Sequence, residues 1–306
     1  DQATSLGGFY GRFSGSLLSL GSLVILYFFV SRLVSRDAKY KTLNALLASG
    51  GLALVWSFLA LSGKLSFLSR FSPILGQKTF NPVAPSLEGL AVFLVPLIFL
   101  ALELGKRKEG EAEEDRRRPW FNLIFIGLAL IFLVVVDCSP AWIIFGLVSF
   151  VYLVLLFFKR WRGDQVISLR NYALLPFLFL VLAVLGVSLK TPVCLPQEGT
   201  LDQGTGWEIP GKAVRQILIL GTGPATFPYE FSKFRPASFN QTELWQIRFD
   251  RPGSAWTETL VSLGLLGFLA YFFLSLAALR SKLSILNLKF ANLFFVLLAV
   301  VLGQVF

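Results

Sequence analysis

The sequence predicts an all-α protein, a polytopic bundle of about eight transmembrane helices carrying one long, partly helical external loop. Three observations point there. Of 306 residues, 55% are hydrophobic and only 15% are charged. The apolar residues fall in blocks of roughly 17 to 25, the length that crosses a hydrocarbon core at about 1.5 Å per residue. The blocks are continuous rather than alternating, so segments that satisfy their own backbone amides in lipid are helices and not barrel strands.

Reading the blocks between charged or Pro/Gly-rich breaks places the spans at about 13–34, 42–62, 86–105, 119–137, 140–158, 170–189, 254–279 and 290–306. Three regions result: six helices with short loops over 1–189, a large loop over 190–253, and two helices over 254–306. The chain starts at Asp1, contains no Met and stops inside an apolar run at Phe306, which predicts a fragment of a longer protein with further helices beyond its ends.

Orientation follows from the loops. Seventeen Lys and Arg follow spans one, three, five and seven, against four (Arg12, Lys64, Arg70, Lys78) in the shorter stretches opposite. Basic loops stay cytoplasmic, so the 190–253 loop is external and the chain belongs in the inner or plasma membrane. The net charge of +10 has the same topological origin, and no soluble basic domain is present to bind nucleic acid. The absence of His excludes a His-ligated metal, a Ser-His-Asp triad and a Cys-His dyad within this chain; no cofactor is expected.

Short elements between the spans read mainly as turn chemistry. The run from Lys106 to Arg118 nearly cancels its own charge, as a solvated hairpin does. Cys138 and Cys194 both fall near external helix ends, where a disulfide is permitted if their Cα atoms approach. Asp137-Cys138-Ser139-Pro140 is a tight turn bearing a carboxylate. Between Gly63 and Pro85 stand Arg70, a candidate anion contact, and Thr79-Phe80-Asn81-Pro82, whose Asn and Pro favour a structured re-entry into span three.

The loop of over sixty residues is too long for a plain connection and too aromatic to be disordered, holding Trp207, Phe227, Tyr229, Phe231, Phe234, Phe239, Trp245 and Phe249. It is expected to fold onto the membrane face of the bundle. Within it, Pro210 to Leu220 reads as a short helix with Pro in the first turn and Val214, Ile217 and Leu218 on one side. Gly221-Thr222-Gly223-Pro224 follows, either as a C-terminal cap or as a place where backbone N–H groups approach an anion closely.

Lys233, Arg235, Arg248 and Arg251 come next, interleaved with aromatics. A planar guanidinium forks onto phosphate oxygens, and a lipid-linked diphosphate presents such oxygens at this interface; the competing roles are snorkelling to headgroups and pairing with Glu230, Glu243 and Asp250. Span seven opens with Ser254 as N-cap, Trp256 at the interface and Glu258 in the first turn, where the helix dipole favours a carboxylate. An ionisable group at the mouth of a span is also a functional candidate.

These residues carry a resemblance. Gly221, Thr222, Gly223 and Phe227 in a long external loop, followed by Pro252, Ser254, Glu258, Leu260, Val261, Gly264, Leu265, Leu266 and Gly267, resemble the O-antigen ligase and O-antigen polymerase superfamily, as does Asn81-Pro82 before span three. The resemblance covers about 220 residues and implies a bacterial cell-envelope enzyme of polysaccharide biosynthesis, a metal-independent membrane glycosyltransferase. Such enzymes move a glycan from a polyprenyl (undecaprenyl) diphosphate carrier to a glycan or lipid acceptor hydroxyl on the external face. Under that reading Arg248 and Arg251 stabilise the leaving diphosphate and Asp250 or Glu258 lies near the acceptor. Arg215, Lys233, Arg235, Arg70 and the backbone at Gly221 and Gly223 hold substrate. Where the family usually places a His, this chain reads Arg251-Pro252-Gly253-Ser254; Arg215 is the nearest match to the Arg before the glycine turn.

Two other readings stay open. A transporter or flippase of a lipid-linked or anionic solute places charged or broken helices near the midplane, whereas the central thirds of these spans hold no Lys, Arg, Asp or Glu. A non-catalytic relative accounts for the missing His.

Overall fold

The computed structural model describes residues 2–7, 16–33, 35–72, 75–84, 86–104, 118–161, 169–189, 201, 203–215, 219–242, 244–283 and 291–304. Among them helix is the regular structure and no strand occurs. The helices are α1 (Gln2–Gly7), α2 (Leu17–Leu33), α3 (Arg36–Leu61), α4 (Leu87–Leu104), α5 (Arg118–Val136), α6 (Ser139–Trp161), α7 (Leu169–Ser188), α8 (Gln203–Val214), α9 (Phe227–Phe234), α10 (Ala255–Leu283) and α11 (Ala291–Gly303), with short 3₁₀ turns at Ser66–Arg70 and Ala237–Gln241. All eight apolar blocks coincide with helices, and the boundaries differ by a few residues. Two segments, Lys41–Leu61 and Ala255–Arg280, are long and apolar enough to cross a membrane; the apolar stretches of α2 and α4–α7 are shorter. The charged run 106–117, Cys194, Ile217 and Leu218 lie outside the described residues.

By contacts the chain divides into two units, and the division cuts across the sequence boundaries at 189 and 253. One unit comprises Thr42–Glu198 with Leu279–Gly303; the other comprises Asp1–Lys41, Gly199–Ala278 and Gln304–Phe306.

In the first unit α4 is central, packed against α5, α6 and α11. It is apolar all round and correspondingly buried, from Leu87 and Leu90 through Leu94, Val95 and Ile98 to Ala101. Ser86 starts it by accepting the Gly89 N–H at 2.9 Å. The Asn-Pro element before it is a turn: Asn81 Oδ1 accepts the N–H of Val83 and Ala84 at 2.8 and 3.0 Å, and Trp56 Nε1 donates to the Phe80 carbonyl at 3.2 Å. Small residues let α6 and α7 approach closely. Ala183 faces Gly146, and a Cβ on Gly186 would fall 2.3 Å from the Trp142 ring. Phe99, Phe145 and Phe179 close the centre, the last two 4.9 Å apart between ring centroids.

The outward faces are as apolar as the inward ones. In α5, Phe125, Ile126, Ala129, Phe132 and Leu133 are buried at helical spacing while Trp120, Phe121, Leu123, Ile124, Ile131 and Val134 stand exposed. In the second unit α2 exposes a run from Leu23 to Val30. A helix on the surface of a water-soluble domain carries polar residues there.

The second unit also contains the described residues of the long loop. Ile209 and Ala213 of α8, Phe227 and Phe231 of α9, Leu201, Phe239 and Phe249 form a small buried core against Val261 of α10. Phe231 lies at its centre, with ring centroids 5.5 Å from Phe239 and 5.6 Å from Phe249. The loop thus folds, as its aromatic content predicts. Its first helix differs from expectation: α8 runs from Gln203 to Val214 with Pro210 inside it, because Gln203 to Glu208 extend the helix N-terminally before the proline removes one N–H.

Candidate functional site

The loop and the last long apolar helix meet at two glycines. α10 is broken at Gly264, whose φ of +65° and ψ of −165° are open essentially to glycine alone. The break is sharp. Trp256 packs its ring 5.5 Å from Phe268, 5.5 Å from Tyr271 and 6.0 Å from Phe272. A straight helix would separate residues 256 and 272 by about 24 Å along its axis. So α10 consists of a short arm, 255–263, folded back on a longer arm, 265–283.

Residues 219–223 lie across the break. The N–H of Thr222 donates to the Val261 carbonyl at 2.8 Å, that of Gly223 to Ser262 at 2.9 Å, and that of Leu266 to the Ile219 carbonyl at 3.3 Å. Gly221 has φ +71°, and a Cβ on it would fall 2.3 Å from the Gly264 nitrogen and 2.6 Å from the Val261 oxygen; a Cβ on Gly264 would fall 2.4 Å from the Gly221 nitrogen. The two backbones touch, so neither residue tolerates a side chain. Thr222 and Thr226 share a hydrogen bond at 2.6 Å, and Thr226 Oγ1 lies 2.6 Å from the Gly223 carbonyl, to which it donates. The turn is therefore not the cap of the preceding helix, which ends at Val214. The close approach it permits is to α10, and the N–H groups of Thr222 and Gly223 are occupied there.

Ser254 caps the short arm as expected, accepting the Trp256 N–H at 3.2 Å. Its hydroxyl and the Ala255 N–H both donate to the Gln304 carbonyl, at 3.1 and 3.0 Å. Tyr271 donates its hydroxyl to Gln304 Oε1, tying the longer arm to the same residue. Glu258 sits in the first turn, half-buried.

Two of the predicted arginines are held in place on the loop. Arg248 donates Nε to the Pro228 carbonyl at 3.1 Å and lies 5.3 Å over the Tyr229 ring. Arg235 donates Nη1 to the Trp245 carbonyl at 3.0 Å and lies 5.8 Å over Phe239. Among the described residues neither pairs with a carboxylate. Each guanidinium thus keeps further N–H donors on a stem fixed by a carbonyl and a ring. The two flank α9, one at each end.

The remaining predicted residues are arranged less closely. Lys233 is exposed with its Nζ 4.9 Å over the neighbouring Phe234 ring. Arg251 faces Asp250 at 3.8 Å, both side chains over 40% exposed, a contact of little energetic weight. Arg215 is exposed just after α8, and Arg70, exposed at the end of the 3₁₀ turn, belongs to the other unit. No group of three or more His, Cys, Asp or Glu suited to a metal occurs among the described residues. Sequence reasoning missed the break at Gly264 and the roles of Trp256, Tyr271 and Gln304; the signal was the glycine itself, at a helix interior where it costs about 1 kcal/mol relative to Ala.

No protein-family model, no characterised protein and no solved structure matches the chain.

Proposed function

We propose that this chain is a multi-pass protein of the cell membrane that transfers a glycan from a polyprenyl diphosphate to an acceptor hydroxyl at the external face. The observation that carries the reading is the pair Arg235 and Arg248, each fixed by a backbone carbonyl and an aromatic ring with donors to spare. Fixed guanidinium groups suit a dianionic leaving group, since no reorganisation is needed as charge develops. The apolar outward faces of α2 and α5 support eight helices set in lipid.

In this reaction the acceptor oxygen attacks the anomeric carbon, the bond from that carbon to the diphosphate oxygen breaks, and the hydroxyl proton passes to a carboxylate. Asp250, between Arg248 and Arg251, and Glu258, in the first turn of α10, are assigned that role. Arg251 stays with Asp250 as a charge stabiliser; an always-protonated guanidinium accepts no proton. Gly221 and Gly223 serve by holding the loop on α10.

The test is glycan transfer from a lipid diphosphate donor by the reconstituted protein. Arg235→Ala and Arg248→Ala are expected to lower transfer at least 10-fold each, and Arg248→Lys nearly as much, since an ammonium does not fork. Unchanged transfer in both alanine variants rejects the role. The broken α10 favours a second reading, transport or flipping of a lipid-linked or anionic solute, because transporters build their sites on interrupted helices. Flux across vesicles with no covalent change in the solute selects it.

A further inference from the structure

We propose that α10 is a two-state helix: a folded-back form, clasped by residues 219–223, and a straight form in which the same backbone groups bond within the helix. The break itself carries this, independently of any glycan chemistry.

The exchange is nearly one bond for one. In the folded-back form the carbonyls of Val261 and Ser262 accept the N–H of Thr222 and Gly223. In an unbroken α-helix those carbonyls accept the N–H of Leu265 and Leu266. Leu266, whose N–H now goes to Ile219, is released by the same movement that removes the clasp. Neither form leaves these carbonyls orphaned in an apolar setting, which is the condition for two arrangements of similar energy.

The remaining terms pull in opposite directions. The folded-back form is held by the Trp256 ring against Phe268, Tyr271 and Phe272, and by Gln304, which bonds both arms. Against it, Trp256 Nε1 is buried without an acceptor, a cost that straightening relieves by parting the rings. Ile219 and Leu220, which cross the break, are 60% and 72% exposed, so the clasp itself buries little apolar surface. Gly264 adopts the broken conformation and the helical one alike, and no other residue type does both.

Straightening changes what the segment spans. The apolar stretch Ala255–Arg280 is 26 residues, about 39 Å as one helix, whereas the arm beyond Gly264 is about 24 Å. The short arm carries Glu258, so the same movement carries that carboxylate away from Thr222 and Gly223.

The test is a distance measurement by pulsed electron paramagnetic resonance on the whole chain in lipid nanodiscs. Nitroxides are placed at Ala255→Cys and Phe273→Cys, both exposed, with Cys138 and Cys194 replaced by Ala. A straight helix separates these positions by about 27 Å along the axis. In the folded-back form they are much closer, because the adjacent residues Trp256 and Phe272 have ring centroids 6.0 Å apart. Two populations are expected in this background. Leu265→Pro places proline at the first position of the second arm, where it fits, and removes the N–H that the straight form needs, so it abolishes the long separation. Gly264→Ala enlarges the long population several-fold. A single short separation in the background chain overturns the proposal, as does a long population that Leu265→Pro leaves in place; both outcomes are decisive even if Gly264→Ala fails to fold.

Discussion

Replacing Gly221 by alanine tests the contact on which the loop's placement depends. The residue has φ +71°, where an L side chain costs about 1 kcal/mol. The added methyl would lie 2.3 Å from the Gly264 nitrogen, 2.6 Å from the Val261 oxygen and 2.7 Å from the Ser262 carbonyl carbon. All three are backbone atoms and none can rotate aside, so the loop must retreat. Retreat breaks the bonds Thr222 to Val261, Gly223 to Ser262 and Leu266 to Ile219, each worth about 1 kcal/mol net. Strain and lost bonds together amount to roughly 4 kcal/mol, about a thousandfold in a local opening equilibrium. Hydrogen–deuterium exchange reads this directly: in Gly221→Ala the Thr222 and Gly223 amides should lose whatever protection the clasp gives them and exchange as open backbone does. The matched control is Gly211→Ala in α8, which has nothing within 4 Å of its added methyl and no positive φ. There the same change should stabilise by roughly 0.5–1 kcal/mol. Equal protection of residues 222–223 in Gly221→Ala and in the parent chain would refute the reasoning, because the crossing would then tolerate a side chain.

Phe231→Ala should destabilise the folded loop by about 3–5 kcal/mol, since the ring fills the centre of the Phe227, Phe239 and Phe249 cluster; denaturant titration followed by tryptophan emission measures it. Trp256→Phe keeps most of the ring packing and removes an N–H that has no acceptor, so stability should change by less than about 1 kcal/mol in thermal unfolding, whereas Trp256→Ala should lose several. Asn81→Ala removes an acceptor used by both Val83 and Ala84 and should cost roughly 1–3 kcal/mol, read as a lower unfolding midpoint.

Much of the chain is legible from its sequence because helix formation in apolar blocks is a local matter. The α5 block expected at 119–137 is Arg118–Val136, and the α7 block expected at 170–189 is Leu169–Ser188. Ser254 could be read as a cap because its partner, the Trp256 N–H, lies two residues away. Pro210 misled the placement of α8 because Gly204, Thr205 and Gly206 before it are poor helix formers, so the proline looks like a helix start; the helix they join is held by Ile209 and Ala213 in one buried cluster with Phe227 and Phe231. Nothing local tells Arg248, braced on Pro228 and Tyr229, from Arg215, which stands exposed after α8.

By itself the sequence determined the helices, their apolar character and a loop aromatic enough to fold, because each depends on residues within a few turns of one another. Tertiary structure alone decided that the last long apolar helix breaks at Gly264 and that Gly221 fills the gap. A carbonyl in the middle of a helix gives up its partner four residues on only when another donor is delivered to it, and the donors of Thr222 and Gly223 come from about forty residues upstream.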